Sequence, residues 1–351
     1  MLDSIIQKEI SYGIKHKPEI RKNFQRPSPE LHNINGSRLV RYPNFYDFED
    51  PTTTLGDIFL VPGFPGLQNM QVLAESLQDY GFSVYIPIYP GIGQTYSGLN
   101  IKPKGEFSFT ESQKQVNTLF KALRDNSLSR IIVGGYSVGA ILASNLVEKF
   151  SSSIDRVFIM GGSFHSQEVF HEVFPYKGEK GIKALEKYIH DCCTKGKVPV
   201  LGNPDEIFQD WVNFLVKSSN PENVLSKEKM PLAILHSPKD DVFPLDYASK
   251  YFPKRAKFFP LDITHMMHHL ENGDAGNDVA TMFYKFLKGD YDIRNGFRRA
   301  IASKRRTNAF NITRSFETPV LWTIGPGPYD KNLVPVRKPK YLDTSFGIRK
   351  Y

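Results

Sequence analysis

The tightest constraint on this chain is one stretch, Ile131-Ile132-Val133-Gly134-Gly135-Tyr136-Ser137-Val138-Gly139-Ala140-Ile141-Leu142. Three β-branched residues open it, the composition of a strand buried on both faces. The chain then passes through Gly135-Tyr136-Ser137-Val138-Gly139 and leaves as an apolar run of helix formers, Ala140 to Val147. A strand that enters a helix this abruptly needs glycine two residues either side of the turn, because a Cβ there would strike the facing backbone. The apex residue is forced into strained φ/ψ. That strain lifts the Ser137 hydroxyl above the sheet and turns backbone N–H groups toward whatever lies over it. A bare G-x-S-x-G recurs by chance; the strand before and the helix after make this one specific.

The rest of the chain repeats the same rhythm. Gly56 to Val61 is a short apolar strand, followed by Pro62-Gly63-Phe64-Pro65-Gly66. Asn69 to Asp79 places Met70, Leu73, Ala74 and Leu77 on one helical face. Ser83 to Ile88 is the next strand, Tyr89 to Thr95 a glycine-rich loop, and Thr110 to Asp125 a helix. Strand Val157–Met160 follows the Ser137 helix. Alternation stops from about Phe164 to Lys229, a helical, aromatic-rich stretch, and resumes with Leu232–His236, a helix from Asp246 and strand Ala256–Phe259. A final helix spans Asn277 to Leu287. Such alternation argues for a mostly parallel sheet with helices on both faces. The expected organisation is an N-terminal extension over residues 1–54, with one strand from Ser37 to Pro43, and an α/β domain over 55–290. A helical cap insertion covers 164–229, and an arm covers 291–351.

A serine hydroxyl attacks only when a base takes its proton, and the base is oriented only if a third group sets its tautomer. The later strands supply both partners. Strand 232–236 runs into Ser237-Pro238-Lys239-Asp240-Asp241-Val242-Phe243-Pro244, and strand 256–259 into Pro260-Leu261-Asp262-Ile263-Thr264-His265. The acid and His265 fall at the carboxyl ends of parallel strands, where such sheets bind ligands. The order is Ser, Asp, His. His265, His268 and His269 have helical spacing, but no cysteine or carboxylate pattern joins them, so no metal is expected. Asp241 and Asp262 read as turn formers.

These motifs resemble the α/β-hydrolase superfamily, within it the carboxylesterase and monoacylglycerol-lipase type, over roughly residues 55–288. The resemblance rests on Pro62-Gly63-Phe64-Pro65-Gly66, on Gly81-Phe82 and Tyr89-Pro90-Gly91-Ile92-Gly93, on the Ser137 nucleophile elbow, on Asp240-Asp241-Val242-Phe243-Pro244 and on His265. It implies an α/β-hydrolase fold. The family's D-x-V-x-P register selects Asp240 as the acid, with Asp241 second. The implied triad is Ser137, Asp240 and His265. The implied oxyanion hole is the backbone N–H of Phe64 and of Val138, each worth about 2.7–4 kcal/mol of transition-state stabilisation. Pro65 has no N–H, so the hole cannot shift along the chain. Two departures stand out: Pro62-Gly63 replaces the common His-Gly pair, and Pro90-Gly91-Ile92-Gly93 stands where Gly-His-Gly is usual. Tyr136, Phe164 and Trp211 are the expected substrate-binding residues.

Charge divides the chain in two. The net charge is +8, from 45 basic and 37 acidic residues. Residues 294–351 hold 13 of the basic residues and 3 of the acids, which leaves a near-neutral body of 32 against 34. The tail also carries scattered aromatics and prolines without period, the composition of a linker, of a disordered solubilising tail, or of an arm that folds on a partner, protein or nucleic acid. The only cysteines are the adjacent Cys192 and Cys193. Sequence neighbours rarely form an unstrained disulfide, which suits a reducing compartment. No segment approaches a membrane span, and Met1 to Ile10, with Asp3, Lys8 and Glu9, lacks an apolar signal core. The expectation is a cytoplasmic serine ester hydrolase without cofactor, acting through an acyl-enzyme on a small-molecule ester with an apolar or acyl chain. The alternative is a hydrolase-fold subunit, inactive or active, tethered to an assembly by its basic arm.

Overall fold

The computed structural model describes residues 27–44, 56–66, 70–79, 81–96, 98–127, 131–162, 164, 179–196, 198–238, 240, 242–260 and 286. The described chain starts with β1 (Glu30–Ile34) and β2 (Ser37–Tyr42), then β3 (Asp57–Val61), α1 (Gln71–Asp79) and β4 (Ser83–Ile88). A small hairpin of β5 (Gln94–Tyr96) and β6 (Leu99–Ile101) precedes α2 (Phe109–Asn126), β7 (Ile131–Tyr136), α3 (Gly139–Phe150) and β8 (Ile154–Met160). Three helices follow: α4 (Glu179–Lys195), α5 (Pro204–Lys217) and α6 (Pro221–Lys227). Then come β9 (Leu232–His236), α7 (Leu245–Ala248) and β10 (Lys257–Pro260).

Eight strands form one sheet in the order β1-β2-β4-β3-β7-β8-β9-β10. From β4 through β10 every neighbouring pair in that order is parallel, and β2 joins β4 antiparallel. The order reverses beside β3: the chain steps from β3 to β4 on one side and later returns to β7 on the other. Crossovers diverge there, at the carboxyl ends of β3 and β7, the place where open sheets of this kind bind ligands. The Pro62–Gly66 turn and Ser137 both follow those ends directly.

The central strands are apolar on both faces because both faces are covered. Phe59, Val61, Val133, Val157, Ile159 and Ile234 join a core with α2 and α3, which contribute Val116, Leu119, Phe120, Ile141 and Leu146. The alternate residues Ile58, Leu60, Ile132, Met160 and Leu235 join a second core with Met70, Leu73 and Leu77 beside α1. Burial of both registers removes the polar alternation of a half-exposed strand, which is why these segments read as continuous apolar runs.

The N-terminal edge holds more structure than the single strand expected there. Glu30–Ile34 pairs antiparallel with Ser37–Tyr42 through the full length of the hairpin. Asn35 and Gly36 both take positive φ, +51° and +82°. That is the backbone of the tight hairpin turn for which Asn-Gly is the strongest short signal. The β5–β6 hairpin likewise replaces part of the expected glycine loop. Expectations for 1–26, for the 291–351 arm and for the 277–287 helix, Phe286 excepted, lie outside the described residues. Among the described residues no helix is long and apolar enough to cross a membrane.

Candidate active site

At the end of β7, Ser137 sits in the left-handed region with φ +53°. A residue with a Cβ held there costs about 1–3 kcal/mol, so its surroundings must over-determine it. They do so by close approach. A Cβ on Gly135 would lie 2.6 Å from the Gly139 carbonyl oxygen, and one on Gly139 would lie 2.4 Å from the carbonyl oxygens of both Val61 and Pro62. The Ser137 N–H donates to Met160 O at 3.0 Å, and Ala140 N–H donates to Ser137 O at 3.0 Å. The cap position of α3 belongs to Val138, with no side-chain cap bond. Ser137 stands one residue outside it, and its strained backbone is not that of a helix N-cap.

The Pro62–Gly66 turn lies against this elbow. A Cβ on Gly63 would be 3.2 Å from Ser137 Cβ and 3.0 Å from the Tyr136 ring. Tyr89, fully buried, donates its hydroxyl to Pro62 O at 2.5 Å and pins the turn from below. Burial pushes that phenol well above its ordinary range, so it stays a donor. Among the described residues neither Phe64 nor Val138 spends its backbone N–H on a hydrogen bond. Two N–H groups on adjoining turns are thereby left beside Ser137, the arrangement an oxyanion requires.

Asp240 is buried on the loop after β9. Its Oδ1 accepts from Val242 N–H at 3.0 Å and Phe243 N–H at 2.7 Å, and its own N–H donates to Ser237 O. The fully buried His236, at the end of β9, closes the loop by donating from Nε2 to Phe243 O at 2.6 Å. A carbonyl can only accept, so that nitrogen carries the proton. The same Nε2 lies 3.6 Å from Asp240 Oδ2. His236 thereby braces the loop that carries Asp240. His265, Asp241, Asp262, His165, His268 and His269 lie outside the described residues.

The three expected substrate residues separate. Tyr136 packs on Gly63, and Trp211 on α5 packs on Phe64 with ring centroids 6.1 Å apart. Phe164 instead packs edge-on against Phe252, whose ring also meets His236. Around the Phe64 ring stand Phe107, Phe109, Trp211 and, from α4, Tyr188. The Tyr188 hydroxyl reaches Phe64 O at 3.4 Å, and burial holds its phenol well above the usual range. Next along α4, burial pushes the Cys192 thiol up to about 11. Sequence reading singled out neither Phe107, Phe109 nor Tyr188 at this site, because four separate segments supply the cluster. One signal was present: Ser108 with Glu111 three residues on marks the α2 N-terminus, and Ser108 does cap Glu111 N–H.

Asp210 of α5 fastens the helical segment to the sheet domain. Its Oδ2 accepts from Phe109 N–H at 2.5 Å, Thr110 N–H at 3.2 Å and the Ser108 hydroxyl at 3.0 Å; Oδ1 accepts from the Thr110 hydroxyl at 2.6 Å. An anion at a helix N-terminus meets both bare N–H groups and the positive end of the macrodipole. A second tie is backbone only: Gly93 N–H to Pro199 O, Leu201 N–H to Gly91 O and Phe107 N–H to Leu201 O. This extended piece, with an Ile92–Val200 bridge, interrupts what reads in sequence as wholly helical.

A mostly parallel sheet of this order, with the strained Ser137 turn after β7, the Pro62–Gly66 turn after β3 and the buried Asp240 after β9, is the α/β-hydrolase arrangement. Residues 58–180 match the family model described as the alpha/beta hydrolase fold. Among solved structures, Est1E from Butyrivibrio proteoclasticus is 13% identical, with 75% of this chain and 100% of that chain covered at a TM-score of 0.51. A thermophilic esterase from Thermogutta terrifontis is 14% identical, with 77% and 100% covered at 0.52. No curated protein matches the sequence. The chain has the α/β-hydrolase fold, and esterases are among its structural neighbours.

Proposed function

We propose that the protein is a serine ester hydrolase. The observation that carries this reading is the Ser137 backbone at φ +53°, held at the apex between two glycines and beside two uncommitted N–H groups. Strain of that kind persists where a position has work to do. In the reaction His265 takes the Ser137 proton, and Asp240 fixes the imidazole tautomer. The Ser137 oxygen attacks the ester carbonyl carbon, and the Phe64 and Val138 N–H groups receive the charge that develops on the carbonyl oxygen. The tetrahedral intermediate collapses, the alcohol leaves with the proton from His265, and an acyl-enzyme remains. Water, activated by the same histidine, releases the acid and restores Ser137. No metal or cofactor enters this scheme.

The aromatic roof over Phe64 supports an ester whose acyl or alcohol part is bulky and apolar. Phe107, Phe109, Tyr188 and Trp211 present ring faces and edges to the turn that carries the donor.

A fluorophosphonate probe tests the proposal, since it reacts with a serine only when base and oxyanion donors are assembled around it. The wild-type chain is expected to label, and Ser137→Ala to lose both the label and about 10³-fold or more in kcat for a 4-nitrophenyl ester. Labelling that survives in the alanine variant would overturn the assignment of the nucleophile. A wild-type chain that neither labels nor hydrolyses any ester would leave an inactive hydrolase-fold subunit.

A further inference from the structure

Two side chains against the Pro62–Gly66 turn are buried with polar atoms bare. Gln94 is 7% exposed, and neither its Oε1 nor its Nε2 has a hydrogen-bond partner among the described residues. Trp211 is likewise 7% exposed, and its Nε1–H is unpartnered. Both touch the same short turn. A Cβ on Gly66 would come 3.2 Å from Gln94 Oε1, and the Trp211 ring rests on Phe64. At its other end the turn abuts Ser137, through Gly63.

Buried polar groups are almost always paired, and each exception asks for a reason. A structural reason is missing here. Gln94 ties nothing together, since neither end of its amide bonds to the turn or to β6. As filler, an apolar side chain of equal size would serve better than an amide stripped of water. Nor does its element demand glutamine, for β5 is an edge hairpin of three-residue strands.

We propose that Gln94 is a specificity residue: its amide receives a group that both donates and accepts a hydrogen bond, a hydroxyl above all, carried by the substrate close to the scissile ester. The Trp211 N–H is a further donor to an oxygen of the same substrate. This rests on the ester-hydrolase reading and narrows it, from a plain hydrocarbon ester to one with a polar substituent near the reacting carbonyl. The chemistry matches: an amide offers one acceptor and two donor hydrogens, and a hydroxyl satisfies one of each. A site built to hold a substrate hydroxyl strongly rejects the analogue without it, because the buried amide then stays bare.

Matched ester pairs test this: 4-nitrophenyl 3-hydroxybutyrate against 4-nitrophenyl butyrate for the acyl side, and 2,3-dihydroxypropyl butyrate against propyl butyrate for the alcohol side. The wild-type chain is expected to favour the hydroxylated member of one pair in kcat/KM by about tenfold or more. Gln94→Met, close in length and without the amide, should bring that ratio near one. Trp211→Phe, which keeps an aromatic ring but lacks the N–H, should reduce it. The ratio is read rather than the rate, so a general loss of activity cannot imitate the effect. Should Gln94→Met fail to fold, Gln94→Glu, which keeps the acceptors and loses the donors, must change the ratio.

A wild-type chain that hydrolyses both members of both pairs equally would overturn the inference, and with it would point to an ordinary buried water at Gln94. A ratio that survives the Gln94 substitution would also overturn it. In both cases fluorophosphonate labelling of Ser137 persists, so the ester-hydrolase reading stands. If the wild-type chain shows neither labelling nor hydrolysis, that reading fails first and this inference with it.

Discussion

The elbow at Ser137 and the helical roof of α4 to α6 meet at the Pro62–Gly66 turn, yet they are held there by different means. The elbow is held by contact at the limit of atomic size. Backbone approaches backbone so closely at Gly135 and Gly139 that one added carbon has nowhere to go. The roof is held by polar bonds at its margin, chiefly through Asp210, and by aromatic rings at its centre. A steric constraint of the first kind is unforgiving. A set of bonds and ring contacts gives way gradually. On the proposed reading, the reacting atoms sit on the stiffer part and the surface that meets the substrate on the more adjustable one.

The sharpest way to separate the two is to load each in turn. Gly139→Val adds a branched side chain where even a Cβ would lie 2.4 Å from two backbone carbonyl oxygens. We expect a loss of about 3 kcal/mol or more, read by denaturant unfolding, because Val61 is held in the β3–β7 ladder and the Pro62 carbonyl by the Tyr89 hydroxyl. A loss below 1 kcal/mol would mean that the elbow adjusts as readily as the roof.

Asp210→Ala should cost less. It leaves Phe109 and Thr110 N–H groups at the α2 N-terminus without their anion, worth about 1–3 kcal/mol in stability. Ser108 still caps Glu111, so α2 itself persists. The expected signature is early protease cleavage within 198–220 ahead of global unfolding. Cleavage elsewhere first would show that the roof is fastened by its aromatic centre and not by its edge.

The smallest effect is chemical. Burial favours the neutral thiol of Cys192, so the reactive thiolate is scarce below a pKa of about 11. In a Cys193→Ser variant, which leaves one thiol, iodoacetamide should label Cys192 slowly at pH 8 and faster as the pH rises toward 11. Rapid labelling at pH 8 would mean that α4 lifts away from the Phe64 cluster more often than its ring contacts suggest.

The same contrast governs what could be read without coordinates. The elbow was legible because its requirement is local: glycine, apex and glycine lie within five residues, and each answers to a neighbour in the chain. The alternating strands and helices were legible because burial on both faces leaves unbroken apolar runs. The β1–β2 hairpin was only half legible. Asn35-Gly36 announced the turn, but Glu30–Ile34 is a polar edge strand with little burial of its own, and pairing alone defines it.

The amino-acid sequence by itself determined the central strands and the elbow, since periodicity and backbone sterics act over a few residues. Only the tertiary structure decided that Phe64 is ringed by residues 43 to 147 positions away, that Asp210 caps a helix 101 residues earlier, and that Gln94 lies bare beside Gly66. Those are facts of close packing, in which a side chain's surroundings come from segments whose sequences carry no trace of one another.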